Sequence, residues 1–167
     1  MVKHNIINLD KVQSVYNGNL ESMVHTEDMD NASFVHVGGL NKGERELKDV
    51  KIPTAESIKT DSIVVIASDE VIKDNRIGYS LSEFYNKANE PMKGYHLIVG
   101  DILTVTKTAI EGEPVVGKFL VPTATSTKLT VADDLLGETR FVAEILDITE
   151  KLGYENLDAV VLQIKAN

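Results

Sequence analysis

Between Tyr95 and Lys165 the chain reads YHLIVGDILTVTKTA (95–109), VVGKFLV (115–121), TKLTV (127–131), RFVAEILDI (140–148) and AVVLQIK (159–165), with turns rich in Gly, Pro and Asp between these segments. Each segment is short and rich in Val, Ile, Leu and Thr, and most of them alternate apolar with polar residues, as half-buried strands do. Short strands in such close succession are typical of a small barrel or sandwich. The stretch therefore predicts a mainly β fold, a small β-barrel or sandwich, with Val160, Leu162 and Ile164 on a buried face.

The residues before position 95 add three further strands to this pattern. Phe34–Val37 and Leu47–Ile52 are candidate strands, ended by glycines and by Pro53 respectively. Ile63–Ile66 contains four consecutive apolar residues without alternation, which indicates a strand covered on both faces. Within the C-terminal block, Gly100 and Asp101 interrupt the first segment, where we expect a bulge or a sharp bend.

Residues 1–31 are polar, with scattered apolar positions and many Asn, Asp and Glu residues. Val12, Val15 and Tyr16 have the spacing of one helical turn, but the Asn-Gly-Asn sequence that follows would end it. We interpret residues 1–31 as an extended N-terminal arm and residues 32–167 as a single β-rich domain.

An inserted loop at residues 69–94 carries one short predicted helix. Ser80–Glu83 has the spacing of a capping box, and Leu81, Phe84, Tyr85 and Ala88 then fall on one helical face. This apolar face has two interpretations, since it can pack on the barrel or dock into a partner. Phe84 and Tyr85 are therefore the candidate partner contacts.

Composition limits the kinds of function that fit the chain. At 167 residues it is long enough for one good core, and its lack of Cys excludes disulfides, thiolate metal sites and a Cys nucleophile. The net charge of −9 is unfavourable for contact with a phosphate backbone, so we expect no nucleic-acid partner. No apolar run suits a signal peptide or a membrane span, so we also expect no membrane partner and synthesis in the cytoplasm.

No motif in the chain predicts a catalytic, cofactor-binding or metal-binding residue. The four His residues lack metal-ligand spacing, and Glu27–Asp30 lacks the Gly and the distal Glu of an EF-hand loop. Asp133 and Asp134 are predicted to cap the short turn 135–137. We therefore expect no enzyme and no cofactor. A small hydrolase is the enzymatic alternative, and it would need two carboxylates about 5–10 Å apart in a pocket.

Several phrases of the sequence resemble those of one protein family. They are Gly94–Asp101, Pro114–Lys118, Ser126–Thr130 and Thr139–Ala143 in the C-terminal half, and Tyr16–Glu21 and Asn31–Val35 near the start. In this order they resemble the capsid decoration (cement) or auxiliary head proteins of tailed phages of Gram-positive hosts. These phrases are structural rather than catalytic.

The resemblance implies a structural virion protein that binds the outer surface of an assembled phage capsid and stabilises contacts between capsomers. It implies the major capsid protein lattice as partner, self-association as a trimer or other cluster, and a location on the outside of the virion after synthesis in the host cytoplasm. No cofactor is implied. The alternatives are a tail or baseplate structural protein, or a carbohydrate-binding module on the virion surface.

Overall fold

The computed structural model describes residues 3–71, 80–133 and 138–167. Its elements are β1 (Ile7–Lys11), α1 (Gln13–Asn17), β2 (Leu20–Val24), β3 (Ser33–Leu40), β4 (Leu47–Lys51), α2 (Ser57–Thr60), β5 (Val64–Ile66), β6 (Met92–His96), β7 (Ile102–Thr106), β8 (Ile110–Glu111), β9 (Phe119–Pro122), β10 (Leu129–Ala132), β11 (Val142–Asp147), β12 (Lys151–Leu152) and β13 (Leu157–Ala166). Single 3₁₀ turns lie at Leu81–Glu83 and Lys107–Ala109. The predicted mainly β fold is confirmed.

Five strands form a closed barrel in the order β2-β4-β3-β5-β6. β2 and β4 are parallel, and the other neighbours are antiparallel. A small apolar cluster that includes Met23, Val35 and Met92 fills the interior. The barrel is so narrow that a Cβ on Gly94 would lie 2.6 Å from the Met23 sulfur, so the glycine leaves the space that this side chain occupies.

The second sheet has eight strands in the order β1-β7-β13-β11-β9-β10-β8, with β12 paired to β13. One of its faces packs against the barrel and forms a single larger core with it. Phe34 of β3 and Phe141 meet across this boundary, with ring centroids 6.1 Å apart. The two sheets therefore belong to one structural unit.

Strand β5 lies between the two cores. Val64 and Ile66 belong to the barrel cluster, whereas Ile63 and Val65 belong to the larger cluster shared with the second sheet. All four side chains are fully buried. The expectation that this strand is covered on both faces is confirmed.

The predicted buried stripe of the last strand is also confirmed, since Val160, Leu162 and Ile164 are at most 1% exposed. The predicted interruption at Gly100 and Asp101 has a larger role than a bulge. It is the point where the chain leaves the barrel after β6 and enters the second sheet at β7.

The N-terminal segment differs from the predicted extended arm. β1 pairs with β7 in the second sheet, and β2 closes the barrel between β4 and β6. Ile6 and Val12 are buried at 3% and 0% exposure. Ile6 and Val12 flank β1, and the two strands of this segment have only five residues each, which is too short to show a clear alternation.

The predicted helix over Leu81–Ala88 is reduced to the 3₁₀ turn at Leu81–Glu83. Ser80 caps this turn as expected, by accepting a hydrogen bond from the Ser82 amide, but the backbone is extended again at Phe84. Asn86 exchanges two 2.8 Å backbone hydrogen bonds with Met29. These bonds require an extended chain, and a helix of two turns has little stability to set against them.

Two sequence-based expectations fall partly on residues that the structure does not describe. Residues 72–79 of the predicted insertion lie outside the described part of the chain. The predicted cap at Asp133 and Asp134 concerns residues 134–137, which also lie outside it.

Two adjacent glycines of β3 give a matched test of the barrel. A Cβ on Gly38 would lie 2.6 Å from the Asp49 carbonyl oxygen of the neighbouring strand, whereas a Cβ on Gly39 would have no atom within 4 Å. We expect Gly38→Ala to lower the free energy of unfolding by about 1–3 kcal/mol, because backbone atoms of β4 must move. Gly39→Ala serves as the control and should change it by less than about 0.5 kcal/mol. Equal urea midpoints for the two variants would contradict this packing.

Candidate interaction surface

Two chain segments cross between the sheets on the same side of the molecule. The first is α1, which joins β1 to β2, and the second is residues 97–101, which join β6 to β7. The Asp101 carboxylate is 4% exposed and accepts hydrogen bonds from the Gln13 and Ile98 amides, both at 3.0 Å. The Ser14 hydroxyl also donates to the His96 carbonyl oxygen. The bonds from Gln13 and Ser14 hold α1 against the second crossing, and the bond from Ile98 fixes the turn of residues 97–101.

Several apolar side chains are exposed on these two segments and at the adjoining start of β2. Among the described residues, five of the twelve exposed large apolar side chains lie here, and we call them the crossover patch: Val15, Tyr16, Leu20, Ile98 and Val99. Tyr16 is 79% exposed and Val99 is 65% exposed. Exposed apolar and aromatic side chains on a fixed backbone are typical of protein–protein contact sites.

A polar trio lies beside this patch, at the mouth of the barrel. Glu21 on β2 follows Leu20, and its carboxylate accepts hydrogen bonds from Lys48 on β4 and from His96 on β6, both at 3.0 Å. By strand alternation, Glu21 shares a face with Met23, so the trio caps the barrel interior. Burial disfavours the charged form of Glu21. However, the hydrogen bonds from His96 and Lys48 outweigh burial and lower the pKa of Glu21 below its ordinary value of 4.5.

The predicted partner contacts, Phe84 and Tyr85, lie elsewhere and are both partly buried. The Tyr85 ring packs on His4 at a centroid distance of 4.8 Å, and His4 is in turn 2.6 Å from Asp30. Tyr85 therefore takes part in holding the N-terminal segment in place. A partner contact at either aromatic residue stays a prediction.

Sequence patterns could not reveal the crossover patch. Val99 has the same parity as the buried Leu97 and Leu103, but Gly100, with a φ of +96°, turns the chain and leaves Val99 outside. Tyr16 looked like part of an extended arm, whereas the burial of Val12 and the hydrogen bonds of Gln13 and Ser14 fix α1 against the core. The available signal was an aromatic residue, Tyr16, in a mostly polar segment.

Two carboxylates of the acidic turn at residues 27–30 accept hydrogen bonds from distant parts of the chain. Asp28 accepts a 2.9 Å hydrogen bond from the Ala88 amide, and Asp30 accepts from His4 and from the Asn5 amide. Within the described residues, no group of three or more His, Asp or Glu side chains is arranged to hold a metal ion.

No family model, curated protein or solved structure matches the chain. In the parts of the chain that are described, no helix has the length and hydrophobicity needed to cross a bilayer. The resemblance to phage head proteins, the named partners and the expectation of a non-enzyme all stay predictions.

The polar trio predicts a pH-dependent contribution to stability. Because the pKa of Glu21 is lowered in the folded state, its charged form stabilises the fold at pH values above 4.5, and this contribution is lost as the pH falls through the lowered pKa. We expect Glu21→Gln to reduce the free energy of unfolding near pH 7 by on the order of 1 kcal/mol. The difference from the unaltered protein should shrink as the pH falls through the lowered pKa of Glu21 and approach zero below it.

Urea unfolding across this pH range measures the effect. Glu46→Gln, in an exposed loop, is the control and should show no such trend. A deficit for Glu21→Gln that stays constant with pH would contradict the role given to the Glu21 charge.

Proposed function

We propose that this chain is a structural protein of a tailed-phage virion that binds the outer surface of the assembled capsid and stabilises contacts between capsomers. The observation that carries the proposal is the crossover patch, a group of exposed apolar side chains on or next to two segments that hydrogen bonds hold together. The sequence phrases that resemble phage head proteins support it independently, and two of them, Tyr16–Glu21 and Gly94–Asp101, contain all the patch residues except Val15.

A preformed patch suits a rigid partner such as a capsid lattice. Binding is weakened by the loss of freedom of every side chain and loop that must become ordered. Val15, Ile98 and Val99 have few rotatable bonds, and Asp101 fixes the backbone beneath them. Little ordering is therefore left to occur on contact, and clusters of copies on a lattice would add up modest single contacts.

The charge of the chain fits the same partner. A net charge of −9 keeps the protein soluble and disfavours contact with the packaged nucleic acid. It favours a capsid exterior that is neutral or basic around the docking position. In this proposal the apolar patch supplies the affinity, and the net negative charge of the chain limits binding to suitable positions.

Co-sedimentation with capsids that lack the protein tests this function directly. We expect saturable binding at a fixed number of copies per shell, together with greater resistance of the shell to heat. Failure to bind intact shells at any concentration would contradict the proposal.

Two exposed tyrosines allow a matched test of the patch. Tyr16→Ser combined with Val99→Ser should weaken binding to capsids by roughly tenfold or more, since large exposed side chains often dominate interfaces. Tyr154→Ser is the control, because Tyr154 is 97% exposed but lies in the turn between β12 and β13. The melting temperature of each variant should be close to that of the unaltered protein. Equal losses for the patch variant and for Tyr154→Ser would contradict docking through the patch.

A further inference from the structure

A cleft opens at the end of the barrel opposite the polar trio. One wall is residues 25–30, which follow β2, and the other is residues 125–128, in the turn between β9 and β10. Asn5, Ser33 and Ile52 complete the lining, and the cleft encloses about 550 Å³. This volume is within the range of sites that bind small molecules or a few residues of a peptide.

Two buried polar side chains of the cleft have hydrogen-bonding capacity left over. Asn5 is 7% exposed, and its side-chain oxygen accepts from Thr108 at 2.6 Å and from Thr106 at 3.4 Å. Its Nδ2 group donates to none of the described residues. The Ser33 hydroxyl, in a residue 4% exposed, likewise has no partner among them. Both atoms keep some contact with solvent, and both residues line the cleft, so a ligand or water there can accept their hydrogen bonds.

The walls of the cleft are acidic. Glu27, Asp28 and Asp30 line it, against Lys128 as the one Lys or Arg among the described lining residues. Both Asp30 oxygens already accept hydrogen bonds, and one Asp28 oxygen accepts from the Ala88 amide. Among the residues that the structure describes, none donates a hydrogen bond to the second Asp28 oxygen or to the Glu27 carboxylate, and these are the acceptors that an Arg or Lys side chain would use.

From these two sets of groups we infer that the cleft binds an extended basic segment of a partner protein. Peptide carbonyl oxygens accept hydrogen bonds from Asn5 Nδ2 and the Ser33 hydroxyl, while an Arg or Lys side chain pairs with Glu27 and Asp28. Met29 and Ile52 contribute the apolar part of the lining. The cleft and the crossover patch lie on different parts of the molecule, so this inference does not depend on the proposed capsid contact.

The full chain can be tested by NMR with a defined peptide. The probe is acetyl-Gly-Arg-Gly-Arg-Gly-amide, and the matched control probe replaces both arginines with glutamates. We expect saturable shifts of the amide resonances of residues 25–30 and 125–128 with the basic peptide only. Shifts of the same size with the acidic peptide, or no shifts with either, would overturn the inference.

Two double variants separate recognition in the cleft from general attraction. Glu27→Gln with Asp28→Asn should weaken binding of the basic peptide about tenfold, because charge-assisted hydrogen bonds are lost. Glu44→Gln with Glu46→Gln removes the same amount of charge from the loop between β3 and β4, and should leave binding within about twofold. Equal losses for the two double variants would overturn the inference.

A third variant tests the role of the buried donors. Ser33→Ala keeps every charge. It should weaken binding of the basic peptide several-fold and leave the melting temperature of the protein unchanged.

A neutral sugar, maltotriose, is the last probe. If maltotriose shifts the cleft resonances and the basic peptide does not, the site binds glycans and the inference is wrong.

Discussion

Both cores of this protein depend on one three-residue strand. Val64 and Ile66 of β5 fill the barrel, while Val65 and the preceding Ile63 fill the boundary with the second sheet. A strand buried on both faces leaves no position for a polar side chain, which explains the unbroken apolar run in the sequence. A cavity opened on either side of β5 would therefore affect the packing of the strand that both cores share.

Polar groups complete the boundary where apolar packing ends. The Asn167 side chain accepts from the Ile63 amide at 2.6 Å and donates to the Ile63 and Leu97 carbonyl oxygens. At the two crossing segments, the Asp101 carboxylate accepts hydrogen bonds from the Gln13 and Ile98 amides. Buried backbone groups must be paired, and at these crossings the described residues provide no neighbouring strand for the groups that Asn167 and Asp101 pair. Side chains take over that role, and the backbone around the crossover patch stays fixed as a result.

The strands with the clearest alternation were the easiest to predict from the sequence. In β13 the alternation of Val160, Leu162 and Ile164 continues for long enough to define a buried face. β1 and β2 have only five residues each, so their few apolar positions looked like a polar arm. For the helix predicted at Leu81–Ala88, the cap at Ser80 was predicted correctly and the apolar residues have helical spacing. The predicted length was wrong because hydrogen bonds between Asn86 and the distant Met29 hold the backbone in an extended conformation there.

The positions of the strands along the chain also bear on the order of assembly during synthesis. Every barrel strand lies between residues 20 and 96, so the barrel can close while the ribosome is still making the second sheet. Until then the outward side chains of β5 remain uncovered, and this is the stage at which association with other chains is a hazard. β1 is made before the barrel, but β7, its one strand partner in the described part of the chain, is made after it. β1 therefore pairs late in assembly although it is made early.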